Sequence, residues 1–238
     1  SPALAQPPHP DYAPAMRVAE RTVHSIEVAG ERVELLPQRA AWWPAARTLL
    51  VADLHIGKEA TFRRYGIAMP HGILDEAIER LTAAVAMTSA ERIVVIGDLI
   101  HARLGMSEEV VERFARWRAT FAGRVELVVG NHDRHVRAMP ASWEVTVRDE
   151  ACSDGPFAYR HEPCDGPSAD GDASERPFRW CGHMHPTVRV VGAALPAFVI
   201  GRRQAILPAF TAFSRGPGWV PSDEERVYAI ASGVVVAV

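Results

Sequence analysis

Apolar residues along this chain fall into short blocks with abrupt polar ends. Between Thr22 and Leu36 they alternate on either side of Gly30, with Val23, Ile26 and Val28 before it and Val33 and Leu35 after it, which predicts a hairpin. Three compact runs follow. Residues 47–52 stop at Asp53, residues 93–96 stop at Gly97-Asp98, and residues 126–129 stop at Gly130-Asn131. Such runs suit strands buried on both faces, as inside a parallel sheet covered by helices. The stretches between them carry helical spacing. After Pro70, the positions Ile73, Leu74, Ala77, Ile78, Leu81 and Val85 keep an i, i+3/i+4 rhythm. Ser107 reads as an N-cap, with Glu108 and Glu109 at the positive end of the helix dipole. Val110, Val111, Phe114 and Trp117 then form one apolar face, with Gly123 as its end.

Strand, helix, strand, helix, strand predicts an α/β layered fold. The C-terminal third returns to strand character at 198–201, 204–207, 226–231 and 234–238, the last two joined by Ser232-Gly233. Residues 165–177 turn to Gly, Asp, Ser and Pro, the composition of an exposed loop. Residues 1–17, rich in Pro and Ala, read as a flexible tail, and residues 18–238 as one domain. Trp42 and Trp43 are assigned to packing under the first of the compact strands, and Cys181 to the interior as a small hydrophobe.

Composition narrows the function classes. Of 238 residues, 48% are hydrophobic and 23% charged, an ordinary globular mixture that excludes wholesale disorder and a fibrous architecture. The charge-free run at 190–201 contains Pro196 and is too short to span a bilayer, so no membrane association is expected. No basic-then-apolar leader precedes the body of the chain, so secretion is not expected. Lys and Arg number 26 against 29 acidic residues, a net charge of −3. That argues against a globally basic nucleic-acid binder and leaves local patches open. The three cysteines, Cys152, Cys164 and Cys181, cannot all pair and none sits in a C-x-x-C, which points to reduced thiols in the cytoplasm.

The polar ends of the apolar runs carry the chemistry. Asp53-Leu54-His55, Gly97-Asp98, Gly130-Asn131-His132-Asp133, His161 and Gly182-His183-Met184-His185 are each weak alone. Strands lying side by side would deliver them to one crevice at their carboxyl ends. On extended backbone, residues two apart point the same way, so Asp53 with His55 and His183 with His185 would each form a two-pronged claw. Oxygen and imidazole donors without thiolate suit Mn²⁺, Fe or Zn in a reactive site rather than a closed structural zinc. Seven candidates (Asp53, His55, Asp98, Asn131, His161, His183 and His185) are too many for one ion and suit two, if one carboxylate bridges. Gly97, Gly130 and Gly182 each precede a candidate ligand, where the missing side chain lets backbone and ion approach.

As an ordered set, D-x-H, G-D, G-N-H-D, a lone His and G-H-x-H resemble the calcineurin-like binuclear metallophosphoesterases. Longer strings, including Trp42-Trp43-Pro44, residues 51–59, residues 97–103 and residues 201–210, are similar to the ligase-associated DNA damage response endonucleases, the PdeM family. The resemblance implies a layered α/β-sandwich of that type, with mixed sheets flanked by helices. It implies two divalent ions, Mn²⁺ foremost with Fe or Zn as alternatives. Asp53, His55 and His185 would hold the first, Asn131, His161 and His183 the second, and Asp98 would bridge them. His132 would face the substrate. Many relatives carry an acid where this chain has His101. Gly-Asp-Leu-x-His is also the form of the double-strand-break repair nucleases of the superfamily, which favours nucleic acid. DNA is the implied partner, together with functional association with a DNA ligase and a helicase.

The expected reaction is attack on phosphorus by a hydroxide shared between the two ions. Two cations, two carboxylates and a hydroxide leave about one net positive charge, a match for a phosphodiester. His132 would act as general acid or orient the bound phosphate as a hydrogen-bond donor, and His101 would assist the leaving group or steady a metal ligand. Lys58, Arg64, Arg103 and Arg134, near the motifs, would position a polyanion, and Phe62 or Tyr65 would stack on unpaired bases. The chain is therefore expected to be a Mn²⁺-dependent DNA endonuclease of DNA repair that prefers single strands. Two rival readings stay open: a small-molecule phosphodiesterase or phosphomonoesterase acting on a cyclic nucleotide or nucleotide-sugar, and a non-catalytic scaffold of the same fold.

Overall fold

A computed structural model of the chain describes residues 23–136, 138–164, 177–214, 216 and 218–238. The tail expected at 1–17, nearly all of the loop expected at 165–177, and Arg137 lie outside them.

The first sheet runs in chain order. It contains β1 (His24–Val28), β2 (Glu31–Leu36), β3 (Ala40–Trp43), β4 (Thr48–Val51), β5 (Arg92–Ile96), β6 (Arg124–Val128) and β7 (Val145–Arg148). Strands β1 to β4 form an antiparallel meander, and β4 to β7 are parallel. The predicted hairpin is β1–β2. Its two-residue turn places Ala29 at φ 52° and Gly30 at φ 76°, the primed geometry that matches strand twist. Two long helices supply the crossovers, α2 (Ile73–Thr88) and α3 (Glu108–Arg118), preceded by a short α1 (Lys58–Arg64) that hydrophobic periodicity had not suggested. In α3 the Ser107 hydroxyl accepts from the Val110 amide, as the cap predicts, but the helix stops at Arg118, short of Gly123.

The second sheet is built from β8 (Ala151–Asp154), β9 (Phe157–Arg160), β10 (Phe178–Cys181), β11 (Thr187–Val190), β12 (Ala193–Ile200), β13 (Gln204–Ile206), β14 (Arg226–Ala231) and β15 (Val234–Ala237). Its order is β15-β14-β12-β13-β10-β9-β8, with β11 folded back on β12. Strand β10 lies parallel to both β9 and β13, and the remaining pairings are antiparallel, so both sheets are mixed.

Side-chain alternation divides the interior into layers. Leu50, Val94, Ile96 and Val128 face the second sheet and meet Phe157, Trp180, Phe198 and Tyr228 there. Leu49, Val51, Ile93, Val95 and Leu127 face the other way, against Ala77, Leu81, Phe114 and Trp117 of the helices. The two tryptophans part company: Trp42 joins the helix side and Trp43 the space between the sheets. The far face of the second sheet has its own small cluster of Val188, Val199, Ile206 and Val227, with Trp219 packed on it. Between the sheets, at the starting ends of β5 and β6, Arg92 donates to both carboxylate oxygens of Glu126 at 2.9 and 2.8 Å and reaches across to Asp154 of β8. Cys152, Cys164 and Cys181 are unpaired, and no described helix is long and apolar enough to cross a membrane.

Candidate metal centre

The polar motifs follow five strands. Asp53 and His55 come after β4, Asp98 after β5, Asn131 after β6, His161 after β9, and His183 and His185 after β10. The loops beyond the strand ends are stitched together. The Asp53 amide donates to Gly97 O, His55 N to Asp98 O, and Gly182 N to His161 O, so the two sheets bring one set of side chains to a common point.

Five of these seven residues have left-handed backbone: Asp53 (φ 58°), His55 (49°), Asp98 (52°), His183 (69°) and His185 (47°). Such torsions are unfavourable for residues with a Cβ and collect where function demands them. They also correct the claw expectation, which assumed extended backbone. Asp53 and His55 still converge, but His183 and His185 diverge to different groups. Asp53, His55 and His185 form one trio of donors, and Asp98, His161 and His183 form another. A third grouping, His55, His101 and His132, contains no carboxylate.

Within the first trio, His55 Nε2 lies 3.4 Å from His185 Nε2, which in turn lies 3.2 Å from Asp53 Oδ1. Asp53 is fully buried. Its Oδ2 accepts from the His183 amide at 3.0 Å, while Oδ1 has no hydrogen-bond partner. In the second, His161 Nε2 is 2.9 Å from Asn131 Oδ1, 3.3 Å from Asp98 Oδ2 and 3.2 Å from His183 Nδ1. His161 Nδ1 donates to Ile96 O, which leaves Nε2 as the ring nitrogen whose proton a cation would displace. Asp98 links the trios. Its Oδ1 accepts from the His132 amide at 2.9 Å, and its Oδ2 also lies 3.9 Å from His55 Nε2. An orphaned buried carboxylate oxygen and ring nitrogens turned towards one another fit a pair of divalent cations, and the imidazole, carboxylate and amide donors are of the right hardness.

Electrostatics agree. Burial drives the His55 imidazole down to about 2, against the pull of Asp98, so His55 is a neutral donor. For Asp98, burial opposes ionisation, but the hydrogen bond and charge of His161 and the His132 amide overcome it and bring the carboxyl to about 2. Burial likewise disfavours a charged His161, yet Asp98 and Asp53 outweigh it and raise the ring to about 9, as expected where two buried carboxylates create a potential that attracts a cation. Burial lowers His101 to about 4, with His132 adding to the effect.

The trios open into a cavity of about 250 Å³. His132 lines it with its side chain 35% exposed, and its Nδ1 donates to His101 O at 2.6 Å. His101 stacks on His132 with centroids 4.9 Å apart and places Nδ1 3.4 Å from His55 Nδ1, so it touches both rings. Asp133, read from the sequence as a turn residue, accepts from the Ile100 and Gly130 amides at 3.0 Å each and ties the loops after β5 and β6. Of the cations near the motifs, Lys58 lines the cavity and Arg64, Arg103 and Arg134 do not. Arg64 and Arg103 are exposed, and Arg134 pairs with Glu150 at 2.8 Å. Phe62 is half-buried beneath His101, and Tyr65 projects outward beyond α1 without lining the cavity. Two lining residues, Phe213 and Ser214, had no sequence signal: they lie beyond the end of the 201–210 string, in a stretch without periodicity.

Comparison with known proteins places these features in context. Residues 46–192 match the family model described as calcineurin-like phosphoesterase. The crystal structure of the nuclease MPE of Pseudomonas putida aligns with a TM-score of 0.77 and 33% identity, covering 91% of this chain and 100% of that one. A protein of unknown function from Aquifex aeolicus aligns at TM-score 0.40 and 18% identity, over 58% of this chain and 78% of its own. The phosphoesterase Yfce of E. coli aligns at TM-score 0.42 and 15% identity, over 80% of this chain and 96% of its own. No curated protein sequence matches the chain.

Proposed function

Because the chain belongs to the calcineurin-like phosphoesterase family, a family of metal-dependent phosphoester hydrolases, we propose that it is a Mn²⁺-dependent phosphodiesterase that cuts DNA internally, prefers single strands, and serves DNA repair in the cytoplasm. One observation carries the reading: Asp98 Oδ2 faces both donor trios, and among the seven candidate ligands only Asp53 and Asp98 are carboxylates. A neutral amide at Asn131, where a third carboxylate would cancel the excess positive charge, suits a substrate with a single negative charge per phosphate. The likeness to a protein described as a nuclease supports a nucleic acid over a small diester.

In this reading Asp53, His55 and His185 hold one cation, Asn131, His161 and His183 hold the other, and Asp98 serves both. When bound, the pair supplies Lewis acidity towards the phosphate oxygens and a water acidic enough to act as nucleophile near neutral pH. The protein's own groups do the rest. His161 Nδ1 is held by Ile96 O, so Nε2 is the nitrogen that would give up its proton and take the cation. Lys58 spends hydrogen bonds on Phe213 O at 2.8 Å and Ser214 Oγ at 2.5 Å and keeps a third N–H for a phosphate oxygen. Arg64 and Arg103, outside the cavity, serve the backbone of a longer strand rather than the reacting phosphate, while Arg134 is engaged by Glu150. As the bond from phosphorus to one nucleoside oxygen breaks, the departing oxygen takes the proton from His132 Nε2.

The test is a comparison of four substrates with Mn²⁺: circular single-stranded DNA, its duplex form, bis-p-nitrophenyl phosphate and p-nitrophenyl phosphate. Opening of the single-stranded circle ahead of the duplex, abolished by chelation, is expected. Hydrolysis confined to the monoester overturns the nuclease reading.

A further inference from the structure

Part of the cavity wall is formed by a loop anchored beside the candidate ligands. Phe210 N donates to Ala52 O and Thr211 N to Asp53 O, while Gly216 N donates to His185 O. Its two ends are thus hydrogen-bonded to the segments that carry candidate ligands of both sheets. Arg39 Nη1 donates to Ala209 O at 3.2 Å and Thr211 O at 2.7 Å, and Arg80 grips Phe210 O. At the crest, Lys58 holds Phe213 O and Ser214 Oγ. Between these holds the Phe213 side chain lines the cavity and remains 44% exposed. Among the described residues Tyr65 is the other exposed aromatic of the large hydrophobics, and it does not line the cavity.

We infer that Phe213 is the base-stacking platform that sets the preference for unpaired DNA, an inference that rests on the nuclease reading above. The same lysine that offers an N–H to the phosphate fixes the backbone that bears the ring, so phosphate and neighbouring base are gripped by one preorganised unit. Every base has a π-face, so stacking here is indifferent to sequence. In a duplex that face is already covered by the next base pair, and uncovering it costs unstacking energy. A cavity that offers one lysine and one exposed ring beside the metal ligands therefore takes a flexible single strand more readily than a double helix.

The experiment uses the whole chain with Mn²⁺ and two strands of equal length, one of mixed sequence and one in which every nucleotide is an abasic tetrahydrofuran analogue. The native protein is expected to cleave the base-bearing strand with a KM roughly tenfold or more below that for the abasic strand, the scale of one stacking contact. Phe213→Ala should raise KM for the base-bearing strand until the two strands are cleaved alike, with kcat little changed, and Phe213→Trp should restore the discrimination. Equal losses on both strands, or discrimination that survives Phe213→Ala, would overturn the assignment to Phe213. Failure of the native protein to cut either strand while hydrolysing p-nitrophenyl phosphate would instead remove the nuclease reading itself, and this inference with it.

Discussion

In the proposed reaction the two ring nitrogens of His132 would do different work. Nδ1 faces a carbonyl, which can only accept, so it carries a proton in every state of the ring. A proton on Nε2 is therefore the one a leaving group would take. His132→Ala is therefore expected to retain its metal and to lose turnover unevenly, most for substrates with basic leaving groups, by about 10²–10⁴-fold. Rates for a series of aryl and alkyl diesters, with metal content measured alongside, distinguish this from simple orientation of the phosphate, which would lower all members equally. Asp53, Asp98 and Asn131 were legible because each closes a run of apolar residues, whereas His161, His183 and His185 entered only through the ordered set of motifs. Lys58 and Arg134 were not separable in that way. Both follow a motif closely, but only coordinates reveal that one lines the cavity and the other turns to Glu150. Phe213 was out of reach because its significance lies in hydrogen bonds to residues more than 150 positions away.

At the scale of the element, the strand-to-loop turns decide whether donors converge. Gly97 sits between β5 and Asp98 with φ 80°, and a Cβ at that position would stand 2.0 Å from His161 Nδ1. The turn and the imidazole of the other sheet therefore occupy touching space, and no rotamer of a larger residue relieves the contact. Gly97→Ala should lower stability by about 1–3 kcal/mol from backbone strain alone and displace His161. Urea unfolding and metal analysis together check this: a midpoint shift with one of two metals lost is expected, and an unchanged midpoint would show that the loop adapts freely. Periodicity made β4, β5, β6, α2 and α3 legible, since each buries a regular face. It missed α1, whose seven residues are mostly polar and which buries only Thr61. The expected claw failed for a related reason. Alternation assumes extended backbone, and the left-handed torsions at Asp53, His55, His183 and His185 come from the tertiary arrangement, which local sequence does not encode.

At the scale of the whole molecule, the centre lies where two sheets meet. Asp53, His55, Asp98 and Asn131 belong to the first, and His161, His183 and His185 to the second. Nothing in the sequence announced that the motifs split this way, because apolar runs reveal strands but not which sheet a strand joins. The split has an energetic consequence. Without cations, two buried carboxylates are compensated by hydrogen bonds, the Lys58 charge near Asp53 and a proton on His161, whereas bound cations would tie one sheet to the other. Ligands that bind only the folded state stabilise it by mass action, about 2.7 kcal/mol at a hundredfold excess over Kd. Chelation should therefore lower the thermal midpoint by several degrees and in a metal-concentration-dependent way. Asp98→Ala, which removes the oxygen facing both trios, should bind neither cation and lose the dependence on added Mn²⁺ altogether. Calorimetric scans with and without chelator, paired with elemental analysis, check both statements. Full retention of one metal by the variant would mean that the trios load independently and that Asp98 is not shared. An intact Mn²⁺ response would place the stabilising cation elsewhere in the molecule.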